Sequence, residues 1–106
     1  MVSEGSKGAS GEKAAIVWLP QAIDDVERIT AAIAVHSPNA ALRAKALIWD
    51  HVQLIGRFPQ LAKLLPDGVN RMWHAKIGAS AIHICYRITS DKTVVIQHVR
   101  YGREMK

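Results

Sequence analysis

Cysteine is nearly missing from this chain. A single one, Cys85, excludes an intramolecular disulfide framework and any zinc site built on several thiolates. No apolar run approaches the roughly 18–20 residues a membrane span needs. The opening Met1-Val2-Ser3-Glu4-Gly5-Ser6 lacks the basic-then-apolar order of a secretory leader. These absences predict a cytoplasmic protein without a membrane association. Acidic residues are scarce in one region only. Residues 1–70 hold seven Lys/Arg against seven Asp/Glu, whereas residues 71–106 hold seven against two. The whole net charge of +5 therefore sits in the last third, along with His74, His83 and His98. A positive field so localised favours a polyanion or an acidic protein partner.

With 106 residues and a hydrophobic fraction of 49%, the chain is long enough and apolar enough for one ordinary core. Residues 1–13 are Ser/Gly-rich without apolar periodicity and are expected to form a flexible tail, leaving 14–106 as the domain. Residues 14–19 form a short β-prone run closed by Pro20. Ile23, Val26, Ile29 and Ile33 then recur at helical spacing, with Asp24, Asp25 and Glu27 in the early turns where carboxylates favour the helix dipole. Ser37-Pro38 is a helix start, and residues 38–57 place Ala41, Ala44, Ile48, Val52 and Ile55 on one row. Leu47, Leu54 and Phe58 widen that row. Residues 59–70 read as an irregular connection.

Beyond residue 70 the period changes to two. Residues 71–77 alternate Trp73, Ala75 and Ile77 with Met72, His74 and Lys76. Residues 82–88 alternate Ile82, Ile84, Tyr86 and Ile88 with His83, Cys85 and Arg87. Residues 93–99 form a third strand with Val95 and Val99 on one face. The expected architecture is α+β: β-α-α-β-β-β, with a helical hairpin packed on a mainly antiparallel four-stranded sheet. Trp18, Trp49, Trp73 and Tyr86 are expected in the core.

A sheet covered on one face by helices leaves a second face. Here it should carry His74, Lys76, His83 and Arg87, with Tyr101 and Arg103 at its end. Cationic neighbours on adjacent strands repel unless an anion lies between them. The sequence has no metal motif, no Gly-rich phosphate loop, no nucleophile elbow and no paired carboxylates, so neither metal nor cofactor is expected. What remains is cationic and imidazole chemistry, which suffices to cleave RNA through its own 2′-hydroxyl.

Four segments, in order, resemble the RelE/ParE superfamily of toxins from bacterial type II toxin–antitoxin modules over about residues 15–104. Trp18-Leu19-Pro20-Gln21-Ala22-Ile23-Asp24-Asp25-Val26 resembles the opening strand and helix with its Pro-x-Ala-x-x-Asp pattern. Ser37-Pro38-Asn39-Ala40-Ala41 is similar to the Asn-Pro-x-Ala-Ala start of the second helix, and Leu54-Ile55-Gly56-Arg57-Phe58-Pro59 to the run that closes it. Tyr86-Arg87-Ile88, followed by Val99-Arg100-Tyr101-Gly102-Arg103, is similar to the final Tyr-Arg-hydrophobic and Val-x-His-Gly-Arg signature. Tyr101 stands where that signature has His.

The resemblance implies a growth-inhibiting, plasmid-stabilising toxin held in a hetero-oligomer by a cognate antitoxin. It leaves two targets. The ParE-like branch, favoured by the opening and closing motifs, implies contact with DNA gyrase without catalysis. The RelE-like branch implies a metal-independent endoribonuclease acting on mRNA at the ribosome. In that branch Lys76 and Arg103 would neutralise the scissile phosphate and His83 would act as acid or base. The terminal Tyr or His of several such ribonucleases has no counterpart before Lys106, which argues against that branch. A third alternative is a non-toxic relative that only binds its partner. Across these alternatives Arg71, His74, Arg87, Tyr101 and Arg103 are the expected target or phosphate contacts.

Overall fold

The computed structural model describes residues 13–102, so the expected tail, apart from Lys13, and Arg103 lie outside the described residues. The strands are β1 (Ile16–Trp18), β2 (Lys63–Leu64), β3 (Asn70–Ile77), β4 (Ser80–Ile88) and β5 (Val94–Tyr101); the helices are α1 (Pro20–His36) and α2 (Pro38–Arg57). They form one five-stranded sheet in the order β1-β5-β4-β3-β2, parallel only between β1 and β5. The α+β class holds. The strand count corrects the expectation of four, because residues 59–70 contain the two-residue strand β2, paired as Lys63↔Met72 and Leu64↔Arg71. Two residues are too few for an alternation to show in a sequence.

Proline starts both helices, where its missing N–H leaves no bond unmade. Ser37 then separates them, its hydroxyl accepting from Ala40 N–H at 3.1 Å. That single residue between the helices folds them into a hairpin. Ala22, Val26 and Ile29 of α1 and Ala41, Ala44, Ile48, Val52 and Ile55 of α2 are buried. They pack on Ile82, Ile84 and Tyr86 of β4 and Val94, Ile96 and Val99 of β5, forming one cluster. Each large side chain so buried is worth about 1.5–3 kcal/mol. Gly56 lets α2 approach β1: a Cβ there would meet Ile16 Cδ1 at 2.9 Å.

The β3–β4 hairpin turns through Gly78-Ala79, with Gly78 at φ 58°, the left-handed value a type II′ turn needs at its first position. It sets the register Ile77↔Ser80 through Asn70↔Arg87 and so fixes which residues share a face.

Several packing expectations are corrected. On β5, Val95 and Val99 do not share a face: Val94, Ile96 and Val99 join the helix-side cluster, whereas Val95, also buried, pairs with Arg87 on the other side. A register shift leaves Gln97 unpaired between Tyr86↔Ile96 and Cys85↔His98, and this bulge reverses the alternation partway along the strand. Leu54 and Phe58 are exposed rather than widening the buried row. Asp25 stabilises no first-turn dipole; it reaches instead to β5. Trp73 and Tyr86 pack in or against the core, but Trp49 is largely exposed.

Candidate functional site

Two surfaces stand out: the sheet face turned away from the helices, and a groove on the helical hairpin. The alternation of β3 and β4 places His74, Lys76, His83, Cys85 and Arg87 together on the open sheet face. His74 and His83 are directly opposed in register, and their Nδ1 atoms are 2.6 Å apart with the rings edge-on at 82°. One ring must donate and the other accept. Partial burial, and then the neighbouring His74, lower the His83 pKa from its ordinary 6.5, which favours the neutral ring. Lys76 is exposed two residues along β3 from His74. Thus His74, Lys76 and His83 are brought within one patch, and Arg87 lies further along β4.

The other expected contacts are placed differently. Arg71 lies on the helix side of β3 and donates from Nη1 to the Ala62 carbonyl at 2.9 Å and the Gln60 carbonyl at 3.2 Å. Its charge holds the 60–62 loop rather than adding to the open face. Tyr101 ends β5, packed against the core. Arg100 carries its charge to the sheet edge, donating to Asp25 at 3.0 Å. Cys85 is partly buried, and desolvation pushes its thiol pKa up, away from the reactive thiolate. Among the described residues no group of three or more His, Cys, Asp or Glu could hold a metal. No described helix is long and apolar enough to cross a membrane.

The groove was not expected. It lies between α1 and α2, encloses about 610 Å³ and is lined by Trp18, Ile23, Val26, Glu27, Leu42, Lys45, Ala46, Ile48 and Trp49. Ile23, Leu42 and Trp49 are 45%, 68% and 56% exposed. The rings of Trp18 and Trp49 stack with centroids 6.5 Å apart and planes within 6°. A signal for it was present in the sequence. Leu42, Ala46 and Trp49 recur at spacings of four and three, a second apolar row beside the buried one. Helices that offer one row to a sheet leave a second row on the surface, where clustered large side chains mark a contact site.

A search of curated sequences finds no significant match. Among solved structures, a chain of the chromosomal ParDE toxin–antitoxin system from P. aeruginosa superposes with a TM-score of 0.63 at 18% identity, covering 82% of this chain and 94% of that one. That likeness is one of fold. Residues 16–106 match the family described as ParE toxin of the type II toxin–antitoxin system parDE, and the chain belongs to that family.

Proposed function

We propose that this chain inhibits growth by binding DNA gyrase and is silenced by a cognate antitoxin encoded beside it. Family membership over residues 16–106 is the observation that carries this reading. The sheet face supports a contact role over phosphoryl chemistry. Arg71 is committed to backbone carbonyls, and the Nδ1 atoms of His74 and His83 are committed to each other. A ribonuclease would need such groups aimed at a phosphate.

Two surfaces suit an antitoxin. The groove between α1 and α2 fits the apolar side of an amphipathic segment, and the positive last third of the chain fits acidic residues flanking it. The target reading is tested by inducing the chain alone in bacteria. Growth should slow and a DNA-damage response should rise while translation continues. Early loss of translation with mRNA cleavage would replace gyrase with the ribosome. Normal growth at high soluble expression would remove the toxin reading. Co-expression of the adjacent reading frame should restore growth.

A further inference from the structure

The open sheet face carries a close histidine pair. His74 and His83 occupy opposed positions on adjacent antiparallel strands, and their side chains converge through the same ring atom, Nδ1, at 2.6 Å. Two imidazole lone pairs cannot point at each other, so a proton must lie between them. A cation that accepts both lone pairs can replace that proton.

We propose that His74 and His83 form a two-histidine chelate for a divalent transition-metal ion on the open sheet face. The donor ring moves its proton from Nδ1 to Nε2, so both Nδ1 lone pairs face the ion and no net proton need be lost. Water completes the coordination shell.

The geometry is close to what such an ion needs. Metal–imidazole bonds of about 2.0–2.1 Å set the two nitrogens about 2.9 Å apart at a right angle and about 3.4 Å apart at a tetrahedral angle. Either separation is reached from the observed 2.6 Å by opening the pair by about 0.3–0.8 Å and turning the rings towards the ion. The strands hold the two backbones in register, so only side-chain torsions must adjust.

Imidazole pairs select Cu²⁺, Ni²⁺ and Zn²⁺ over Mg²⁺ and Ca²⁺, with Cu²⁺ bound tightest. Lys76 on the same strand and Arg87 on the next add positive charge nearby and limit the affinity. Bound metal would replace a proton-sharing pair with a fixed dication on this face.

The test uses Ni²⁺ as the probe, because Cu²⁺ can oxidise Cys85, two residues from His83. Full-length protein is titrated at pH 7.5 by calorimetry, and the histidine ring signals are followed by NMR, where paramagnetic Ni²⁺ broadens its ligands first. Saturable binding is expected, with the His74 and His83 signals broadened before those of the other three histidines and no response to Mg²⁺. Disturbing one outer partner of a metal ligand typically costs about 10- to 100-fold in affinity, so losing one of only two ligands should cost at least about tenfold. His74→Ala and His83→Ala should each show that loss, with melting curves confirming folded protein. The wild-type NMR result stands even if a variant fails to fold. Absence of saturable binding, unchanged affinity in the double variant, or first broadening at His98, whose Nδ1 lies 3.8 Å from Asp25, would overturn the assignment.

Discussion

Asp25 on the first helix accepts a hydrogen bond at 3.0 Å from the backbone N–H of Val99, 74 positions later on the last strand. β1 pairs with β5 only from Val94 to Ile96, so the edge of β5 is bare beyond that point. An unpaired edge is an opening for wrong strand pairing, and the Asp25 carboxylate closes it. The same carboxylate receives Arg100 and Arg28, each at 3.0 Å. Burial pushes the Asp25 pKa up, but the Val99 N–H and the two guanidinium groups outweigh it and hold the value below 3.8. A carboxylate depressed in the folded state contributes stability that is present above its unfolded pKa and is lost as pH falls through the folded one. Asp25→Asn should therefore cost about 1–2 kcal/mol at pH 7, discounted for partial solvent screening. Its melting temperature should approach that of wild type below pH 3.8. Melting curves across pH 2–7 check this, and a constant gap between the two proteins would contradict it.

Tyr86 makes the corresponding link on the other side of the core. Its ring is fully buried, and its hydroxyl donates to the Pro59 carbonyl at 2.6 Å, tying β4 to the loop after α2. Tyr86→Phe keeps the packing and leaves the carbonyl without that donor, which should cost about 1–2 kcal/mol. For a domain of this size that is a fall of roughly 4–8 °C per kcal/mol. Calorimetry should show the fall, with the far-UV spectrum unchanged.

These ties mark the boundary of what the sequence reveals. Both helices were legible because each is an uninterrupted apolar period with proline at its start, and the Ser37 cap was legible as a residue type beside Pro38. The open-face residues of β3 and β4 followed from alternation through a two-residue turn. Long-range facts did not follow. The bulge at Gln97 has no composition of its own, so strict alternation puts Val95 and Val99 on one face although the strand separates them. Arg71 looked like every other basic residue until the fold brought two loop carbonyls beneath it. Periodicity singles out the residues a helix must bury, and it ranked Trp49 by its chemistry although it lies outside the buried row.

Arg103 tests the proposed target contact at its most specific point. It is the late arginine that the resemblance marks in both branches of the superfamily. Charge-assisted hydrogen bonds of an arginine to a target are worth about 1.5–3 kcal/mol, a tenfold or greater effect. Arg103→Ala should raise the expression level needed to stop growth by at least that factor, with melting temperature measured alongside to separate contact from stability. Full toxicity of the variant would move the contact surface away from the chain's last residues. His83→Ala sorts the two targets, since it should abolish a ribonuclease and affect a gyrase binder little.

The proposed antitoxin interface would separate into two contributions with different signatures. The positive field of residues 71–106 acts at a distance, so it governs how fast an acidic partner arrives. The groove acts on contact, so it governs how long the partner stays. Between about 0.05 and 0.5 M salt the screening length falls about threefold, and the association rate should fall steeply while dissociation changes little. Trp49 is the natural anchor, being a half-exposed tryptophan stacked on Trp18 in an apolar groove. Central aromatic anchors cost about 2 kcal/mol or more when truncated, close to thirtyfold in affinity. Trp49→Ala should therefore speed dissociation of the antitoxin by about that factor and leave its salt dependence intact. Leu42→Glu, on the exposed rim of the same groove, should do likewise with little effect on stability. Association insensitive to salt would assign recognition to the groove alone. Unchanged dissociation in both variants would assign it to the basic sheet face.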